Sequence, residues 1–124
     1  MKHLSRDAYF ELIRFDFFLI RGKFEALYHT VRGFPVRPIK TESNATELIC
    51  RAVDNACIWY FKQVLCLQRS AATTCLLRRH GIRGQLVLGA QQLPFRAHAW
   101  VEVDGRVVND RPYTPEIYAV LDRC

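Results

Sequence analysis

The sequence predicts one α+β domain, with helices over roughly residues 1–80 and a strand-rich stretch over roughly 82–112. Two patterns carry this. In the first part apolar residues recur at three- and four-residue spacing, and in the second they fall in short runs bounded by glycine and aspartate. A length of 124 residues fits a single domain, which buries roughly 65% of the surface its unfolded chain exposes. Half the residues are apolar and 24% are charged, which excludes disordered, collagenous and low-complexity classes.

Residues 7–32 carry Tyr9, Ile13, Phe17, Ile20, Phe24, Leu27 and Val31 at helical spacing, predicting one long helix. Asp7 caps its start, Gly33 ends it, and Pro35 and Pro38 forbid continuation. Gly22 weakens its middle by about 1 kcal/mol relative to alanine. Phe17 and Phe18 belong to an aromatic surplus on this helix, larger than one core stripe needs, and are candidates for docking a partner. A second helix is expected at about 45–62, with Cys50 and Cys57 as small core residues. A third spans Cys66–Arg79 and stops at Gly81. Leu86-Val87-Leu88 is a buried strand, and 97–102 with 106–110 form a hairpin around Asp104-Gly105. Thr114-Pro115-Glu116 starts a short terminal helix near 115–122. The organisation is a single domain over 1–124, with a helical part (1–62) and a catalytic part (63–124).

Five cysteines with no C-x-x-C spacing match neither a disulfide framework nor a zinc finger, so no metal is expected and a reducing cytoplasm is the simplest location. No 18-residue uncharged run exists, so no membrane span is expected, and the first residues lack the apolar core of a secretion signal. The net charge of +6 is spread along the chain, with no nucleic-acid motif beside it.

Cys66 stands at a predicted helix start, where unpaired N–H groups and the helix dipole favour a thiolate and can also hold an oxyanion. Cys75 is about half a turn round the same helix and roughly 13 Å along it. A nucleophilic thiol needs a base, and the base needs an orienting group. His98 lies on a predicted strand. A three-residue hairpin loop, Val103-Asp104-Gly105, would pair Glu102 with Arg106 and set Asp110 opposite His98. A two-residue turn would instead point Asp110 away. The first register is expected, and Asn109 then faces the other way. Gln63 and Trp59 are oxyanion candidates, and Arg69 and Arg96 could bind a substrate carboxylate or phosphate. His3, His29 and His80 have no such partner.

The segments CLQRSAATTCLLRRHGIRGQLVLG, HAWVEV and DGRVVND, taken in order, resemble the transglutaminase-like cysteine protease superfamily. Within it, C-L-Q-R-S, P-F-R-A-H-A-W-V-E-V and V-N-D are most similar to the leader peptidase of lasso-peptide biosynthesis, the protease half of a split B protein. The resemblance implies Cys66 as nucleophile, His98 as base and Asp110 as orienting acid, on a papain/transglutaminase-like core. It implies cleavage of a precursor peptide between leader and core, a small leader-recognition protein as partner, and a separate ATP-dependent cyclase. No cofactor is implied for this chain, which has no Gly-rich phosphate loop. Ala71-Ala72-Thr73 departs from the Leu-Ala-Leu common in that branch. Another amidase or acyltransferase on the same scaffold, or a non-catalytic peptide-binding module, are the competing readings.

Overall fold

The computed structural model describes residues 3–124. Met1 and Lys2, part of the stretch judged to lack a secretion signal, lie outside the described residues. Among the described residues five helices and a four-stranded sheet follow in order: α1 (Leu4–Ile20), α2 (Phe24–Arg32), α3 (Ala45–Trp59), α4 (Cys66–Arg79), β1 (Gly84–Gln91), β2 (Arg96–Val103), β3 (Arg106–Val107), α5 (Thr114–Ile117) and β4 (Ala119–Arg123). The α+β class is as expected. Among the described residues no helix is long and apolar enough to cross a membrane.

The single helix expected over 7–32 is two. The chain turns at Gly22, whose φ of +66° is a left-handed conformation that glycine adopts without strain. Propensity understated this glycine: it ends a helix rather than weakening one. The helix also begins earlier than expected, so Asp7 sits in the first turn of α1 rather than capping it.

α4 is the central element. Gln68 and every residue from Ser70 to Arg78 are buried, because α1 and α3 cover one side and β1 and β2 the other. Ala71, Ala72, Cys75, Leu76 and Leu77 are wholly buried against Leu12, Phe15, Ile49 and Val53 from the helical layer and Leu86 and Val101 from the sheet. Small side chains at Ala71 and Ala72 let this helix approach both layers closely.

The sheet is antiparallel throughout, in the order β3-β2-β1-β4. Two expectations fail here. The terminal helix is one turn long, and β4 follows it as an edge strand on β1, with Gly89 opposite Val120. Pro115 starts the helix, but the free edge of β1 overrides its continuation. The hairpin has a two-residue turn: Val103 pairs with Arg106 and Glu102 with Val107. Asp104 and Gly105 have φ of +52° and +76°, the pair of positive angles that a tight hairpin matching the strand twist requires. The three-residue loop and its register are therefore wrong.

Candidate active site

Cys66 is the first residue of α4. Leu65 before it is extended and supplies no side-chain cap, and the first turn holds no acid. The N–H groups there point outward without a protein anion to neutralise them. Cys66 is half-buried and free.

His98 is the third residue of β2, paired with Gly89 of β1. Its ring stacks on Trp100 and on Tyr118, with centroids 6.0 Å and 4.9 Å away, and those two rings are 6.2 Å from each other, so the three form one aromatic cluster. Gly89 permits this. A Cβ at that position would stand 2.6 Å from Trp100 Cη2 and 3.0 Å from Tyr118 Cβ, so only glycine lets the aromatic pair settle on the sheet. Cys66 and His98 line one cavity of about 200 Å³, together with Phe24, Leu67, Leu88 and Leu121.

Asp110 reaches His98 despite the failed register. His98 Nε2–H donates to Asp110 Oδ2 at 2.5 Å. The ladder of β3 ends at Val107, and the chain bends over Val108–Asp110. A last backbone bond runs from Val108 N–H to Val101 O, 3.0 Å. Asn109 then turns inward, and its Oδ1 accepts the Val101 N–H at 2.7 Å. The bend returns Asp110 to the side that a regular two-residue hairpin would deny it. Nδ1, the other ring nitrogen, has no hydrogen bond among the described residues.

Burial pushes the Asp110 carboxyl up. The hydrogen bonds from His98 and from the Arg111 backbone N–H outweigh that and hold it below its ordinary value of 3.8. Burial pushes the thiols of Cys50 and Cys75 up to about 11 and about 12, and also raises Cys57 and Cys124. Those four thiols are thus held in the protonated, unreactive form at neutral pH.

The remaining candidates are placed elsewhere. Trp59, 81% exposed, borders a depression with Ser5 and Tyr9 rather than the cavity. Gln63 is exposed and does not line the cavity either. The neighbouring Gln68 is buried, with its amide donating to Leu12 O at 2.8 Å. Arg69 is engaged by the protein itself: Nε donates to Asp54 Oδ1 at 3.0 Å and Nη2 to the Asn109 carbonyl. Two of its N–H groups are thereby committed to the protein rather than to a substrate anion. Arg96 is exposed at the start of β2. Phe17 is exposed, whereas Phe18 packs on Phe15 and the core. Tyr118 and Leu121 were missed because their segment reads as helix. Helical spacing places Phe24 in the apolar stripe, and nothing local marks it as bordering a cavity.

A helix that begins with a cysteine, packed on an antiparallel sheet that presents a histidine–carboxylate pair, defines a class. The sequence model of the transglutaminase-like superfamily matches residues 13–123, and the chain belongs to that superfamily, which is built around cysteine protease and transferase chemistry. It is similar to the microcin J25-processing protein McjB of Escherichia coli, with 36% identity over 81 residues, 63% of this chain and 39% of that one. The chain thus matches well under half the length of that relative. No solved structure matches it significantly.

Proposed function

We propose that the chain is a cysteine peptidase that removes the leader from a ribosomally made lasso-peptide precursor before macrocyclisation. The observation that carries this is the meeting of Cys66 and His98 in one cavity, with Asp110 bonded to the far nitrogen of the imidazole. The likeness to a microcin-processing protein supports the substrate class.

In this reading His98 Nδ1 takes the Cys66 proton, and the thiolate attacks the carbonyl at the leader–core junction. Asp110 holds the imidazole orientation and stabilises the imidazolium that forms. N–H groups of the first turn of α4 receive the oxyanion. The tetrahedral intermediate collapses, the C–N bond breaks, and the imidazolium gives its proton to the leaving amine of the core. Water then hydrolyses the leader thioester, releasing the leader acid and restoring the thiol. The freed amine is the group an ATP-dependent cyclase would acylate. No step requires a cofactor, and the reducing cytoplasm suits the thiol.

The cavity is small, so leader affinity comes from a separate leader-recognition protein. Phe10, Ile13, Phe17, Ile20 and Phe24 are 42–69% exposed and run along α1 to the start of α2. Phe24 also lines the cavity, so a partner seated on this stripe delivers its peptide beside Cys66.

Cys66→Ala should abolish precursor cleavage, while Cys75→Ala should leave it within a few-fold, as followed by mass spectrometry of the precursor with partner present. Equal loss from both would refute the assignment. Transfer of the leader to an added amine in preference to water would make the chain an acyltransferase instead.

A further inference from the structure

We propose that Asn109 is a positioning residue that holds Asp110 against His98 by pinning its loop to the nucleophile's own helix. The proposal rests on Cys66, His98 and Asp110 being the reacting groups.

The argument begins where β3 fails. A two-residue hairpin continued as a regular ladder would place Ala99, not His98, opposite Asp110. The ladder stops after two residues, and Asn109 takes over its role with its side chain. Oδ1 accepts the Val101 N–H at 2.7 Å, where a strand carbonyl would otherwise be needed. Nδ2 donates to Ser70 Oγ at 3.1 Å, and that hydroxyl donates onward to Ala99 O at 3.1 Å. The Asn109 carbonyl accepts Arg69 Nη2, whose guanidinium is anchored through Nε by Asp54 of α3. Every polar atom of the Asn109 side chain is thus bonded, and the residue is 6% exposed.

Cys66, Arg69 and Ser70 are spaced i, i+3 and i+4, so they share one face of α4. The helix that begins with the nucleophile therefore carries both groups that hold Asn109. The same asparagine grips Val101, three residues along β2 from His98. One residue joins the nucleophile's helix, the base's strand and the acid's loop. An asparagine suits this because it offers two donors and an acceptor on a short, stiff side chain. An aspartate could keep the Val101 bond but could not donate to Ser70.

The test is a double-mutant cycle read by Cys66 alkylation with iodoacetamide against pH, and by kcat and KM for precursor cleavage with partner present. Asn109→Ala should lower kcat by about 10- to 100-fold, the cost of misplacing a reacting group by about an ångström, with KM within about twofold. It should move the alkylation profile in the same direction as Asp110→Ala. Asn109→Ala combined with Asp110→Ala should be no worse than Asp110→Ala alone, since the first acts through the second. Asn109→Asp should fall between wild type and Asn109→Ala. Effects that multiply in the double variant, or a wild-type alkylation profile in Asn109→Ala when Asp110→Ala shifts it, would overturn the proposal and leave the three reacting groups in place. An unmoved profile in Asp110→Ala would instead reject the catalytic reading, and the positioning role with it. Should Asn109→Ala fail to fold, Ser70→Ala and Asn109→Asp enter the same cycle and must show the same dependence on Asp110.

Discussion

Gly89 and Asp110 show how single residues set the site. Gly89 is needed for what it lacks: its missing side chain is the space in which Trp100 lies beside His98. Gly89→Ala should cost about 1–3 kcal/mol, the usual range for overpacking a close contact, and should lower cleavage by displacing the histidine's stacking partners. Chemical denaturation and kcat measured on the same preparation check both effects. For Asp110 the sign of the pH dependence follows from its direction. A carboxyl held below its ordinary value of 3.8 stabilises the fold above that value, and the contribution fades as pH falls through the lower value it has in the fold. The stability difference between wild type and Asp110→Asn should therefore be fully present at neutral pH and shrink below about pH 4. Urea denaturation across that range reads it, and a difference that grows on acidification would contradict the assignment.

At the level of elements, the break at Gly22 decides where the aromatic residues go. A continuous helix would carry Phe24 along the line of Ile20. With the chain turned by a left-handed glycine, Phe24 instead begins α2 and reaches the cavity. The stripe on α1 and the cavity thereby become neighbours. Phe17→Glu places a charge on that stripe without touching the core. It should raise the KM for precursor by about tenfold or more when partner is present, the loss expected for a buried aromatic anchor. Without partner it should change little. Equal rates for Phe17→Glu and wild type at limiting partner would move the docking surface elsewhere.

Across the molecule, legibility followed the range of the interactions. α4 has the predicted boundaries, Cys66–Arg79, because its stop at Gly81 and its apolar run are local signals. The placements of Cys66 and His98 were legible for the same reason, one at a helix start and the other on a predicted strand. β4 was not, since an edge strand owes its existence to a partner some thirty residues away. The hairpin was half legible. Asp104-Gly105 announces a turn but suits two turn types, and the opposite charges of Glu102 and Arg106 favoured the wrong one. In the fold Glu102 is buried, accepting from Trp100 Nε1 at 3.0 Å and from Arg123 Nε at 3.2 Å, so its charge is answered from β4 rather than across the hairpin. The meeting of His98 and Asp110 was thus anticipated through a register that does not exist. What brings them together is a side chain buried at the end of a two-residue strand.

That arrangement has a dynamic consequence. The Val101 amide is held by a side chain on a loop and not by a neighbouring strand, whereas the Leu86 amide is held by the Cys124 carbonyl at the opposite side of the sheet. Amide protons exchange with solvent through the smallest opening that frees them. Val101 should therefore exchange whenever the Val108–Asp110 bend lifts, through an opening separate from the one that frees Leu86, which needs Cys124 to lift from β1. In Asn109→Ala the Val101 proton should lose most of its protection while Leu86 keeps its own. Hydrogen exchange followed residue by residue would then time the opening of the carboxylate loop directly, at an atom that takes no part in the chemistry.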